Sequence, residues 1–157
     1  GPANNRQHNE RIWYTGLIMG FYEQVKSQLE RDEGRSVTLY YDSLNIPTIG
    51  IGRNLKRPLS EDEIDYLFKN DYLVHLKEML DVFPWVDQLN EPRKAALLNM
   101  AFNLGVPKLK GFVNMLLALK MGQWQKAHDH TLNSIWASQV HGRAVRIAKQ
   151  FLTGEWI

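Results

Sequence analysis

The chain has 157 residues, of which 44% are hydrophobic and 23% charged, and it contains no cysteine. This size and composition are typical of one globular domain with a buried core, and the lack of cysteine excludes disulfides, thiol catalysis and thiolate zinc sites. The net charge of +2 combines −4 over residues 1–89 with +6 over residues 90–157, which suits an anionic partner, although a solvated surface is the simpler explanation from charge alone.

The N-terminal segment is polar at first and then apolar. Gly1-Pro2 is typical of a protease-cleavage scar, and residues 1–11 are expected to be frayed. The longest apolar run, Ile12–Tyr22, has only 11 residues and is interrupted by one threonine and two glycines. Because a membrane-spanning helix needs about 20 apolar residues, we expect the buried face of a helix here and no membrane insertion.

A helix is predicted to continue from this run to about Asp32. Apolar residues recur at intervals of three or four and mark one face of the helix: Tyr14, Ile18, Phe21, Val25 and Leu29. Gly34 can adopt the left-handed conformation that ends many helices. Glu33 therefore belongs to the last turn, where a helix carries partial negative charge.

A β-hairpin is predicted directly after the helix. Val37–Tyr41 is rich in β-branched and aromatic residues, and Thr48–Gly52 is the predicted return strand. The sequence between them, DSLNIP, is typical of a turn, in which Asn45 suits a positive φ. The glycines of the return strand, Gly50 and Gly52, indicate that another group closely approaches the backbone.

The rest of the sequence predicts helices. Ser60 and Glu63 form a capping box that begins one helix, and Pro92 and Gly105 bound another. The helix that Pro92 opens and Gly105 ends is Ala95–Leu104, and the helices predicted further on are Met115–Lys120, Gln123–Asn133 and Arg143–Leu152. The predicted fold class is α+β and mostly helical, a single domain 1–157 with a small β-hairpin lobe at about residues 34–59.

Glu33, Asp42 and Thr48 are the candidate catalytic residues. A carboxylate is disfavoured at a helix C-terminus, so Glu33 is a candidate proton donor. Asp42 follows nine residues later and Thr48 six residues after that, so hairpin pairing can bring the hydroxyl beside the carboxylate. A proton donor facing a carboxylate that activates water is the arrangement used in glycoside hydrolysis. Surface acids at helix ends and aspartates in turns are common, however, and spacing alone does not decide between these interpretations.

The segment RDEG…YYDS…TIGIGRN resembles the phage-type lysozymes of the T-even phages and their relatives, glycoside hydrolase family 24. In that family an acid–glycine helix end is followed by aspartate and then by threonine before Ile-Gly-Ile/Val-Gly, at the intervals of nine and six found here. The similarity continues through KAALLNMAFNLG (94–105), GFVNML (111–116), SIWASQVHGRAVR (134–146) and TGEW (153–156). It extends from about residue 17 to the end.

The resemblance implies a lysozyme-like fold of two lobes with an active-site cleft between them. It implies that Glu33 donates the proton, and that Asp42, helped by Thr48, activates the attacking water with inversion at the sugar carbon. It also implies that Arg143 faces the catalytic glutamate across the cleft.

The same resemblance assigns further residues. Arg146 would form a structural ion pair with Asp32. Phe102 and Asn103 correspond to residues that contact the glycan, although plain core packing is the alternative for Phe102. His130 stands where the T-even members have a sugar-contacting residue, and we assign it to substrate binding as well.

No cofactor and no metal are predicted. The histidines at positions 8, 75, 128, 130 and 141 are too scattered to suggest a metal site, and the five tryptophans are more typical of packing than of a carbohydrate platform. The basic segment Arg143–Leu152 could contact a membrane, but a helix docked on the core with a solvated basic face explains it better.

The resemblance implies a muramidase that cuts the β-1,4 bond between N-acetylmuramic acid and N-acetylglucosamine. Its partner would be peptidoglycan and not nucleic acid. The protein is expected to be a monomer that is made in the host cytoplasm and acts in the periplasm during lysis by a phage or prophage. A wall-binding module without chemistry, a tail-associated lysin and a secreted antibacterial toxin are the alternatives. Retention of all three catalytic candidates favours an enzyme.

Overall fold

The computed structural model describes residues 20–157, which form a mostly helical α+β fold with one small antiparallel sheet. This confirms the predicted fold class. The elements in chain order are α1 (residues 20–33), β1 (Ser36–Tyr41), β2 (Pro47–Gly50), β3 (Arg53–Asn54), α2 (Glu61–Val82), a 3-10 helix (Pro84–Gln88), α3 (Glu91–Leu104), α4 (Val106–Leu109), α5 (Val113–Lys120), α6 (Trp124–Leu132), α7 (Ile135–Val140) and α8 (Gly142–Thr153).

The chain divides into two compact units. The first unit ends at Ser60 and contains α1 and the sheet, and the helical unit is Glu61–Ile157. The predicted single lysozyme domain stays a prediction. The predicted frayed segment, residues 1–11, and the first two members of the predicted apolar face, Tyr14 and Ile18, lie outside the described residues.

Helix α1 ends where the sequence predicts. Its last residue is Glu33, and Gly34 follows with a φ of 80° while its N–H donates to Glu30 O at 2.9 Å. Of the predicted apolar face, Val25 is half-buried, whereas Phe21 is 72% exposed. The hydrophobic period therefore located the helix correctly, but it did not predict burial of this face.

The sheet has the strand order β1-β2-β3, with one strand more than predicted. Tyr40 pairs with Thr48 and Ser36 pairs with Gly50, so β1 has an irregularity between these two pairs. The prediction that the return strand continues to Gly52 was wrong, because Gly50 and Gly52 have φ values of 68° and 66° and turn the chain. The turn leads into β3, which pairs with β2.

Helix α3 carries much of the core of the helical unit. Asn90 caps it by accepting a hydrogen bond from Arg93 N at 3.2 Å, Pro92 lies in its first turn, and Gly105 ends it with a φ of 80°. Pro92 and Gly105 are the local signals used in the sequence analysis, whereas the Asn90 cap was not predicted. The largest fully buried core side chains come from several elements: Met79, Val86, Leu97, Met100, Val106, Leu109, Met115, Leu119 and Phe151.

Helix α8 docks on this core through Ile147 and Phe151, as expected for a helix with one solvated face. Its C-terminal carbonyl groups are held by Arg93, which donates from Nε to Phe151 O at 2.8 Å and from Nη2 to Leu152 O at 3.1 Å. The same guanidinium lies 3.7 Å from the ring centroid of Trp124 on α6. One side chain thus links α3, α6 and α8.

Three short helices were not predicted either: the 3-10 helix, α4 and α7. They have five, four and six residues, which is too short for a hydrophobic period to be recognised. Within residues 20–157, no helix combines the length and the apolar character needed to cross a membrane.

We predict that Arg93→Ala lowers the free energy of unfolding by about 2 kcal/mol, because it removes two charge-assisted hydrogen bonds and a cation–π contact. Urea denaturation followed by circular dichroism measures the change. Lys149→Ala, at an exposed position of α8, is the control and should change stability little. Equal unfolding free energies for the two variants would contradict the role of Arg93.

Candidate active site

Glu33 lies against a glycine of the first unit. A Cβ atom built on Gly52 would be 3.1 Å from Glu33 Oε2 and 3.3 Å from both Cβ and Cδ of the same side chain. Gly52 also has a positive φ, which side chains other than glycine adopt with strain. The close approach inferred from the sequence is thus confirmed for Gly52, and the approaching group is the candidate proton donor. By contrast, a Cβ on Gly50 would meet nothing within 4 Å.

Asp42 holds the hairpin bend together. Its Oδ1 accepts hydrogen bonds from Leu44 N and Ile46 N, both at 2.9 Å, which is the aspartate turn expected at such a position. Asn45 has the predicted positive φ, at 60°. One carboxylate oxygen is therefore engaged in the turn, and no hydrogen bond among residues 20–157 involves the other oxygen, Oδ2.

Thr48 is attached to the same bend through the peptide group of Ile46. Thr48 is only 4% exposed, and its hydroxyl donates to Ile46 O at 2.8 Å. The same carbonyl accepts from Asp42 N at 3.1 Å. In the β1–β2 register, Thr48 is opposite Tyr40, so Thr48 lies diagonally from Asp42 on the same face of the hairpin.

These bonds decide which atoms are free to interact with a ligand. The Thr48 hydroxyl has used its only proton, so it can act towards a ligand or water only as an acceptor. Asp42 Oδ2 is likewise an acceptor. Within the described part of the chain, no side chain hydrogen-bonds to the Glu33 carboxylate, which leaves it available to a reacting group.

In the helical unit, Arg143 and Phe102 line one cavity of about 290 Å3. Asn99 holds the arginine, accepting at its side chain from Nε at 2.8 Å and at its backbone carbonyl from Nη2 at 3.2 Å. The Phe102 ring stacks on His75 with a centroid distance of 4.5 Å and lies 5.9 Å from the ring of Phe68. Phe102 is 36% exposed, so part of its ring remains accessible to a ligand.

Asn103 and His130 lie near a different cavity of the helical unit. The Asn103 side chain accepts a hydrogen bond from Trp136 Nε1 at 2.8 Å. Trp136 and His130 both line a cavity of about 390 Å3, together with Lys108. The four predicted substrate-binding residues are therefore distributed over two neighbouring parts of the α3, α6 and α8 surface.

Two predicted pairs involve residues of different units. These pairs are Arg143 with Glu33 and Arg146 with Asp32, and both stay predictions. Within the first unit, Asp32 pairs with its neighbour Arg31, whose Nε is 3.1 Å from Asp32 Oδ1.

Sequence reasoning missed two groups that position candidate residues. Asn99 fixes the Arg143 guanidinium from 44 positions away, and no local pattern marks such a partner. The Ile46 peptide joins Asp42 to Thr48, and the only signal for it was the turn composition of DSLNIP.

The chain matches the family model of phage lysozyme over residues 30–148, which is well over half of its length. The chain belongs to the phage lysozyme family. This confirms the resemblance inferred from the sequence, and the match includes Glu33, Asp42 and Thr48. Family membership makes the chain a glycoside hydrolase of the lysozyme type with peptidoglycan as its substrate class.

Similar proteins come from a phage and from an amoeba. The chain is 32% identical over 159 residues to the pre-baseplate central spike protein Gp5 of Enterobacteria phage T4; the match covers 83% of this chain and 28% of that protein. It is 26% identical to the probable T4-type lysozymes 2 and 1 of Dictyostelium discoideum, with 83% of this chain and 94% of each relative covered. The chain thus spans almost all of each lysozyme but little more than a quarter of the spike protein.

We predict that Gly52→Ala lowers the rate of peptidoglycan hydrolysis about tenfold to a hundredfold, because the new Cβ displaces the Glu33 carboxyl group by a few tenths of an ångström. Gly50→Ala is a matched control. It imposes the same left-handed strain, about 1–2 kcal/mol, without contacting Glu33. The two variants should lose similar stability, measured by thermal unfolding, but only Gly52→Ala should lose most of its activity. Equal activities would show that the contact does not position Glu33.

Proposed function

We propose that this lysozyme-family chain is a muramidase that cleaves the β-1,4 bond between N-acetylmuramic acid and N-acetylglucosamine. The observation that carries the proposal is the hydrogen-bonded bend in which Ile46 joins Asp42 and Thr48. Two acceptors, Asp42 Oδ2 and Thr48 Oγ1, remain on one face of the hairpin. Such a pair suits a water molecule, which has two protons to donate.

In the proposed reaction, the water donates one hydrogen bond to Asp42 and one to Thr48, and its oxygen lone pair faces the anomeric carbon. Asp42 takes a proton as the oxygen–carbon bond forms, and the glycosidic bond breaks. Attack on the face opposite the leaving group inverts the configuration. Thr48 orients the water but does not exchange its own proton, because that proton is bound to Ile46 O.

Glu33 gives its proton to the leaving oxygen of the glycosidic bond. Its contact with the Gly52 backbone limits where the carboxyl group can move, and a fixed donor is what general-acid catalysis requires. Arg143 is proposed to face Glu33, and Asn99 would hold the guanidinium in place while it does so.

The glycan is proposed to contact Phe102, Asn103, Arg143 and His130. The partly exposed Phe102 ring offers an apolar surface to a sugar ring, and its stacking on His75 fixes the orientation of the phenyl ring. Asn103 accepts from Trp136, so its amide NH2 group stays available to donate to sugar oxygens. The family match to peptidoglycan-degrading lysozymes supports this assignment.

The proposed biological role is bacterial lysis by a phage or prophage. The protein would be made in the host cytoplasm, act on the wall from the periplasm and work as a monomer. A tail-associated lysin is the second candidate, because one relative is named as a spike protein of a phage pre-baseplate. A secreted antibacterial toxin would use the same chemistry.

We predict that Glu33→Gln lowers wall hydrolysis by about a thousandfold, because the amide keeps the shape of the side chain but has no acidic proton. Clearing of chloroform-treated Gram-negative cells measures the rate. Glu30→Gln, one turn earlier on α1, removes a half-buried acid that pairs with the exposed Arg35 and should leave clearing nearly unchanged.

The same experiment separates the enzyme from a wall-binding module. Cosedimentation with purified sacculi should be retained by Glu33→Gln, since binding does not need the proton. Borohydride reduction of wild-type products should place the new reducing end on muramic acid. Clearing by Glu33→Gln at the wild-type rate would reject the general acid, and a reducing end on glucosamine would reject the proposed bond.

We predict that the first product released from a defined oligosaccharide has inverted anomeric configuration, which NMR during the first turnovers can detect. Retention would make Asp42 a nucleophile and reject the activated water.

Thr48→Val should lower the rate about tenfold because it removes one of the two groups that orient the water. Thr48→Ser keeps the hydroxyl and should be close to wild type, so equal rates for both variants would reject the role of the hydroxyl.

A further inference from the structure

Helix α5 presents apolar side chains to solvent as well as to the core. Its buried face consists of Met115, Leu116, Ala118 and Leu119. On the opposite side, at intervals of four residues, Val113 is 65% exposed, Leu117 is 56% exposed, and Met121, directly after the helix, is 65% exposed. A helix docked on a core normally has polar residues on that side, so this stripe requires another explanation.

A fourth exposed apolar residue extends the stripe. Ile135, the first residue of α7, is 80% exposed and lines the same cavity as Val113. We call Val113, Leu117, Met121 and Ile135 together the α5 ridge. Exposed hydrophobic residues that occur singly need no explanation, but a contiguous group of this kind marks an interaction surface.

Lysines flank the α5 ridge, and the sequence around its α5 residues contains no acid. The acid nearest to Ile135 along the chain is Asp129, whose carboxylate contacts His128. Residues 92–128 contain six lysines and arginines but no aspartate or glutamate. Lys120 lies between Leu117 and Met121 in the sequence and points to the same exposed side of α5. Lys108 lines the cavity that Val113 and Ile135 share. Among residues 20–157, neither lysine takes part in an ion pair.

We propose that the α5 ridge docks on the surface of a phospholipid bilayer with anionic headgroups. Apolar side chains flanked by lysines match the layered chemistry of such a surface, in which acyl chains lie beneath negative charge. The long lysine stems allow the ammonium groups to stay at the headgroups while the ridge is buried.

Other occupants fit this surface less well. A second copy would bring the lysines of both ridges together without acids to neutralise them. Glycan strands offer mainly hydroxyl and amide groups, and only Val113 and Ile135 of the ridge line the cavity of His130, whereas Leu117 and Met121 do not. An acidic protein would need an interface of about 1,000 Å2 or more with specific polar contacts, whereas the ridge has only four side chains. The proposal does not depend on the catalytic roles assigned above.

Cosedimentation of the full chain with lipid vesicles tests the proposal. The wild type should bind vesicles of phosphatidylglycerol and bind phosphatidylcholine vesicles several-fold more weakly. The double variant Leu117→Ser/Met121→Ser should bind phosphatidylglycerol at least roughly tenfold more weakly, because two apolar side chains no longer enter the bilayer surface. Lys120→Gln should weaken binding about fivefold.

Leu73→Ser/Val74→Ser is the matched control, because these two residues of α2 are 51% and 62% exposed and lie outside the ridge. It should bind vesicles as the wild type does, and all variants should keep the wild-type circular dichroism spectrum. The proposal is overturned if the wild type fails to bind phosphatidylglycerol, if it binds both lipids equally, or if the control loses as much binding as the ridge variant. A concentration-dependent dimer that the ridge variant abolishes, without lipid binding, would instead identify a self-association surface.

Discussion

The first unit depends on backbone conformations that only glycine adopts without strain. Gly34 ends α1 directly after Glu33, and Gly50 and Gly52 turn the chain out of β2 into β3. The last of these turns brings the backbone against the Glu33 side chain, where any Cβ would intrude. Two glycines therefore set the position of the candidate proton donor. Gly34 ends the helix that carries Glu33, and Gly52, which has no Cβ, leaves space for the Glu33 side chain.

Hydrogen bonds at the hairpin bend add a second constraint. They fix the acceptor atoms of Asp42 and Thr48 rather than the position of Glu33. Ile46 gives its N–H to Asp42 and receives the Thr48 hydroxyl and the Asp42 N–H at its carbonyl. A turn that needs one carboxylate oxygen for its own stability leaves the other oxygen for a ligand. The turn and the proposed water activation would thus use different atoms of Asp42, so an ordinary turn aspartate and a water-activating base are not exclusive interpretations.

The structural features that the sequence predicted correctly are mostly those that a local signal marks. The end of α1, the positive φ of Asn45 and the bounds of α3 each follow from one or two residues with a strong conformational preference. The short helices α4 and α7 could not be predicted, because their stability comes from tertiary contacts such as the bond from Trp136 to Asn103. The three catalytic candidates lie within 16 consecutive positions and were accessible to sequence reasoning. The partner of Arg143 lies 44 positions away, and its identification required the structure.

The buried face and the exposed face of α5 are both apolar, although only one of them packs on the core. An amphipathic period would have marked a single buried face, but this helix is apolar on nearly every side. Four of its side chains are buried in the core. The remaining apolar residues are exposed, so they contribute nothing to folding and lower the solubility of the protein. Because lysines flank the exposed side and residues 92–128 contain no aspartate or glutamate, this side attracts negative charge as well as apolar surface. A wall-degrading enzyme with such a surface would be held beside the membrane that borders its polymer, and the lysines that flank the ridge would then have a function in addition to glycan binding.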